Sequence, residues 1–189
     1  MIPDTLKHED WNDTDWQYIK GLSSAIENVG ANYIRTKGDN NYHLEHVFAY
    51  ELYYKWKMAL RRKGGNPQKL MLNGELTKHY CKTSSYKFPD MVLHKSYNRN
   101  GLDAYQCIIC EIKSSRNYIP KKDLKKDIVS LCGGITELSY KCGMFIYIGD
   151  NAKKEISRLR KIVQEDNIVF PKRIIFVKAD GKNTQYEYL

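Results

Sequence analysis

The longest periodic pattern in the chain covers residues 42–63, YHLEHVFAYELYYKWKMALRRK. At about 100° per residue, Phe48, Ala49, Leu52, Trp56, Ala59 and Leu60 share one face, which predicts an amphipathic helix ended by Gly64-Gly65-Asn66-Pro67. Upstream, Trp16, Ile19, Ile26 and Val29 are at helical spacing over residues 13–30, with Asp13 or Thr14 as cap and Gly30 as stop. Downstream, Lys69-Leu70-Met71-Leu72 reads as a strand and Asn73-Gly74 as its turn. Two apolar runs follow. One opens after Pro89-Asp90, and the other, Cys107-Ile108-Ile109-Cys110, ends in Glu111-Ile112-Lys113. Between them Asn98, Arg99, Asn100 and Gly101 supply hairpin punctuation. The consecutive apolar positions of the second run suit a central strand covered on both faces.

The remainder alternates. Leu124, Ile128, Leu131, Ile135 and Leu138 form a helical stripe that Gly133-Gly134 kinks or ends, and residues 144–148 form a compact strand. Asp150 or Asn151 caps a helix with Ile156, Leu159, Ile162 and Val163 inward, and residues 174–177 make a last strand before a polar, frayed tail. The fold class expected is α/β, a mixed central sheet flanked by helices, with a right-handed crossover linking parallel neighbours. A length of 189 residues predicts one domain, 1–189, with a helical lead-in over about 1–40.

Composition narrows the class. No apolar run approaches a membrane span and the first residues are charged where a signal peptide needs an apolar segment, so a cytoplasmic protein without a membrane partner is expected. Five cysteines, an odd number, read as reduced core fillers, and Cys107 and Cys110, three apart on a strand, are expected on opposite faces. A balance of 31 Lys+Arg against 22 Asp+Glu gives +9, which points to a polyanionic partner, nucleic acid. Among the basic clusters, Lys122, Lys125 and Lys126 lie closest to the second apolar run and are the candidates for phosphate contact, with a solvated helix face as the alternative.

The chemistry gathers around the hairpin. Paired strands would set Asp90 beside Glu111, and Lys113, two residues on, shares the face of Glu111. Two carboxylates and an ammonium then converge at a solvent-accessible sheet edge. Carboxylates held together repel unless a cation intervenes, and Mg²⁺ (or Mn²⁺) takes one or two carboxylates plus water and phosphate oxygens. An adjacent Lys supplies charge for phosphate and orients a water. Glu45 falls in the middle of the apolar face of the longest helix, where an ionised carboxylate needs a metal, a cation or a wet cleft. Glu51 is its rival, about 120° away with Leu44, Val47, Tyr54 and Met58. Glu75 is either an accessory ligand or an ordinary strand-edge residue.

Pro89-Asp90 and Glu111-Ile112-Lys113 resemble the PD-(D/E)XK nuclease superfamily, whose restriction-endonuclease-like core has a helix before a three-stranded meander. The resemblance covers residues 42–148 by order of elements. It implies a metal-dependent nuclease in which Asp90, Glu111 and the backbone carbonyl of Ile112 hold Mg²⁺ at a scissile phosphate. Lys113 would then position the attacking water, and Glu45 would hold a metal-bound water or second metal. DNA is the first substrate expected, and a homodimer is allowed. The competing readings are an inert nucleic-acid-binding protein of the same fold and a basic α/β adaptor for a protein partner.

Overall fold

The computed structural model describes residues 10–30, 33–34, 42–74, 89–95, 105–114, 119–149, 152–168, 173–179 and 184–189. Two helices, α1 (Asp13–Glu27) and α2 (Tyr42–Arg61), precede the strands β1 (Met71–Gly74), β2 (Met91–His94) and β3 (Gln106–Ser114). Then α3 (Lys121–Thr136), β4 (Cys142–Ile148), α4 (Ala152–Glu165), β5 (Ile174–Ala179) and β6 (Gln185–Tyr188) complete the order. The six strands form one mixed sheet in chain order. β1, β2 and β3 are an antiparallel meander, β3, β4 and β5 run parallel, and β6 returns antiparallel to β5.

Alternation along the strands sorts the core into two layers. Ile108, Cys110, Ile112, Met144, Ile146, Ile175 and Val177 pack with α1 and α2, through Ile19, Leu22, Phe48, Leu52 and Trp56. Ile109, Phe145, Tyr147, Ile174 and Phe176 pack with α3 and α4, through Leu124, Ile128, Leu131 and Leu159. Val47, Tyr54 and Met58, the stripe that carries Glu51, stay exposed, so the face chosen from periodicity for α2 is the buried one.

Several boundaries differ from expectation, each for a local reason. The Asn12 side chain caps α1 by accepting from the Asp15 N–H (2.8 Å), ahead of Asp13 and Thr14, and Asn28 closes the helix before Gly30. Asn73 and Gly74 are strand rather than turn, because β2 pairs with them opposite Val92 and Met91. α3 runs through Gly133-Gly134 without ending there. At Gly134 helix and sheet approach closely, since a Cβ would fall 2.5 Å from Ile109 Cδ1. The polar tail forms β6, anchored by Tyr186 in the core and by Tyr188, whose hydroxyl accepts from the Trp11 indole (3.2 Å). Cys107 and Cys110 join the same core layer, because the register slips between Leu93 opposite Ile108 and His94 opposite Gln106, leaving Cys107 as an extra residue. Cys107, Cys110, Cys132 and Cys142 are buried free thiols. Cys81, the turn residues 98–101, and Asp150 and Asn151, which are the expected caps of α4, lie outside the described residues. Among the described residues no helix is long and apolar enough to cross a membrane.

Candidate active site

The register that sets Met91 opposite Cys110 brings Asp90, one step further, to Glu111. Both share the face of Val92 and Ile109, which looks towards α3. β2 begins at Met91, so beyond it β3 has no ladder partner on that side among the described residues. The Asp90 carboxylate fills the gap by accepting the Ile112 N–H at Oδ2 (2.6 Å). In an extended strand the N–H and C=O of one residue project to the same side, so the Ile112 carbonyl faces the same opening as Asp90. Glu111 is only 2% exposed and accepts from Ser130 Oγ of α3 at Oε1 (2.7 Å).

Lys113 bridges the layers. Its Nζ lies 3.2 Å from Asp127 Oδ2 of α3 and 3.4 Å from Glu45 Oε1 of α2, while Glu45 Oε2 accepts the Ser114 N–H (3.1 Å). Glu45 therefore directs both oxygens at the carboxyl end of β3. Among the described residues, four carboxylates, from α2, the start of β2, β3 and α3, surround one ammonium.

Electrostatics register the crowding. Burial pushes Asp90 up to about 6, against the Ile112 N–H and Lys113, which lower it, while Glu45 and Asp127 add to the rise. Burial first, then Asp90 and Asp127, hold Glu111 well above the usual carboxylate range despite Ser130 and Lys113. For Lys113, burial alone would favour the neutral amine, but Asp127, Glu45 and Asp90 overcome it and hold the ammonium firmly protonated.

Comparison of the chain with protein-family models, curated proteins and solved structures finds no match. The reading of the site therefore rests on its own geometry.

The residues singled out in the sequence divide into three groups. Asp90, Glu111, Lys113 and Glu45 come together. Glu51 does not join them and pairs with Lys55 one turn along α2 (3.2 Å). Lys122, Lys125 and Lys126 occupy the solvent side of α3, where Lys125 is bound to Asp166 at the end of α4 (3.1 Å). Glu75 lies outside the described residues. One correction concerns the setting: the cluster is at the carboxyl end of β3, the third of six strands, rather than on an edge strand, because β4, β5 and β6 extend the sheet past it. Lys113 is accordingly half-buried between two acids rather than solvent-accessible.

Asp127 and Ser130 complete the site and were not singled out by the pattern. Their signal was present: Asp127 is three residues after Leu124 and four before Leu131, so it sits on the apolar stripe of α3, as Glu45 sits on that of α2.

A divalent cation fits this donor set by chemistry. One oxygen each of Asp90 and Glu111 is held by a protein donor, leaving the second, together with the Ile112 carbonyl, for a hard cation. Among the described residues no group of three or more His, Cys, Asp or Glu side chains is arranged to hold a metal ion. Mg²⁺ does not require one, since it usually keeps several waters and binds one or two carboxylates.

Proposed function

We propose that the chain is a metal-dependent nuclease of the PD-(D/E)XK kind, hydrolysing phosphodiester bonds, with DNA as the first substrate to test. The observation that carries the reading is the convergence of Asp90 and Glu111 on one sheet face, buried and short of positive charge, beside Lys113. Structural ion pairs usually balance their charges. Among the described residues Lys113 is the ammonium set against these carboxylates, and an added cation would favour their ionised form.

Asp90, Glu111 and the Ile112 carbonyl would hold Mg²⁺ or Mn²⁺. When bound, such an ion polarises a phosphodiester oxygen and lowers the pKa of a coordinated water. The protein's own groups do the rest. The Ile112 N–H and the Ser130 hydroxyl fix the two carboxylates in orientation. Glu45 and Asp127 keep Lys113 charged and aimed from opposite sides, so that its Nζ orients the attacking water and stabilises charge developing on the phosphate. This gives Glu45 a positioning task toward Lys113 in addition to its expected place near the metal.

The test is incubation with linear, circular and single-stranded DNA and with RNA, in Mg²⁺ or Mn²⁺ and in chelator. Cleavage is expected with metal, absent with chelator, and absent in Asp90→Asn and Glu111→Gln. Cleavage by Asp90→Asn at the parental rate would sink the proposal. Nucleic-acid binding without cleavage under any condition would favour the inert relative.

A further inference from the structure

The carboxylates do not face open solvent directly. Of the four, Asp90 and Glu45 line a cleft of about 470 Å³ between α2 and the β1–β2 side of the sheet, together with His46, Tyr50, Tyr53 and Asn73 among others. That volume lies within the ~300–1,000 Å³ usual for sites that enclose a small molecule or one unit of a polymer.

The α2 wall of this cleft is aromatic. Tyr53 is held in place, its hydroxyl donating to the Leu72 carbonyl of β1 (3.2 Å), with Lys57 Nζ 5.3 Å from its ring centroid. Tyr50, three residues closer to Glu45, is 72% exposed although it lines a concave site. An isolated exposed tyrosine is ordinary. One placed on the wall of a cleft whose floor carries the buried acid Asp90 offers a flat π-face within reach of the reacting end.

We propose that this cleft seats one unpaired nucleotide of a single strand, its base stacked on Tyr50 and its phosphate directed to Asp90, Glu111 and Lys113. The direction of the phosphate rests on the nuclease reading, whereas the stacking can be tested without it. A base within a duplex has both faces covered by its neighbours, so a tyrosine ring can take only a base that is unpaired or displaced. Asn73, tied to His94 by a 2.7 Å contact between Nδ2 and Nε2, forms a fixed polar rim on the opposite wall. The charged residues lining the cleft are the acids Glu45 and Asp90, so attraction for a polyanion comes from Lys57 beside Tyr53 and from the net charge of +9 of the chain.

The experiment is fluorescence anisotropy at low salt in chelator, so that nothing is cleaved. The probes are a labelled thymidine oligonucleotide, an abasic oligomer with the same number of phosphates, and a duplex. Proteins are the parent, Tyr50→Ala, Tyr50→Phe and Tyr54→Ala, the last an exposed α2 tyrosine outside the cleft. The parent is expected to prefer the thymidine strand to the abasic one by about tenfold or more. Tyr50→Ala should lose that preference with duplex binding unchanged, Tyr50→Phe should keep it, and Tyr54→Ala should match the parent. Equal binding of the thymidine and abasic strands, no binding to either, or an equal loss on strand and duplex in Tyr50→Ala would overturn the proposal. Absence of metal-dependent cleavage would remove the nuclease reading while leaving a measured base preference standing.

Discussion

Two buried acids in this molecule sit in opposite circumstances. Glu155 of α4, 1% exposed, has its own guanidinium: Arg158 Nη1 is 2.7 Å from Oε2, and Nη2 donates to the Ile119 carbonyl (2.6 Å). Charge and hydrogen-bonding capacity are matched, and the pair ties α4 to the segment before α3. Around Lys113 four carboxylates gather, among the described residues, on a single ammonium, and two of them have pKa values raised by burial and by neighbouring carboxylates. The first arrangement is what a buried ion pair needs in order to break even. The second does not break even, and an imbalance kept at the end of a central strand is a reason to expect a cation.

The largest expected effect comes from breaking the crowded site. Lys113→Ala should slow single-turnover cleavage by about a hundredfold or more, the usual cost of removing one electrostatic stabiliser. It should also destabilise the fold by ~3 kcal/mol near neutral pH by removing the cation that Glu45 and Asp127 share. Parental cleavage in this variant, measured beside its thermal melt, would mean that the ammonium serves the fold alone.

The matched site gives the contrast. Arg158→Leu should destabilise by ~3 kcal/mol because Glu155 stays buried, yet cleavage per folded molecule should not change. Joint replacement, Glu155→Leu with Arg158→Leu, should recover most of the loss in urea unfolding. If the single variant loses activity beyond its loss of folded protein, the two regions are coupled and the contrast fails.

A pH series sharpens the comparison. Asp90 has a folded pKa near 6 against an ordinary 3.8, so the folded state holds its proton more tightly than the unfolded chain does. Its contribution to stability is therefore present at low pH and is lost as pH rises from about 4 to about 6, on the order of 2–3 kcal/mol. Parent and Asp90→Asn should melt alike near pH 4, and the variant should melt higher at pH 7. Mg²⁺ should raise the melting temperature of the parent at pH 7 and do so much less for Asp90→Asn. A parental melting curve with the same pH profile as the variant would show that the Asp90 proton is not linked to folding.

The smallest effect separates the two glutamates of α2. Glu51→Gln removes a pair with Lys55 worth roughly 0.3–0.5 kcal/mol and should leave cleavage alone. Glu45→Gln should lower the cleavage rate, because its amide cannot hold Lys113 as an ion pair. Equal activity in the two variants would remove Glu45 from the site.

Much of this was legible in residue pattern. Strand identity, the hairpin, the buried face of α2 and the meeting of Asp90, Glu111 and Lys113 follow from alternation and from punctuation by Pro89 and Gly101. What escaped was set by partners distant in sequence. β6 looked like tail because Tyr186 and Tyr188 count as apolar only when α1 is there to receive them. Cys107 changed face through a slip in pairing that no single-strand pattern encodes. Asp127 obeyed the rule applied to Glu45, an acid on an apolar stripe, but its neighbouring lysines made it look like part of a solvated face.

The sheet order has a consequence for how the molecule forms. Because each strand lies beside the strands that precede and follow it in sequence, none must be threaded between two already joined. Pairing can advance from β1 to β6 strand by strand, through hairpin-type connections where neighbours are antiparallel and through the helical crossovers α3 and α4 where they are parallel, and because closure entropy grows only slowly with loop length no step is prohibitive. The donors of the cluster all lie between residues 45 and 130, so they are in place once α3 docks on β3. β5 and β6 cover the far edge, and β6 returns to the start of the chain through Tyr186, whose hydroxyl accepts from Ser23 of α1, and Tyr188, which accepts from Trp11 just before that helix, so the two ends of the described chain meet.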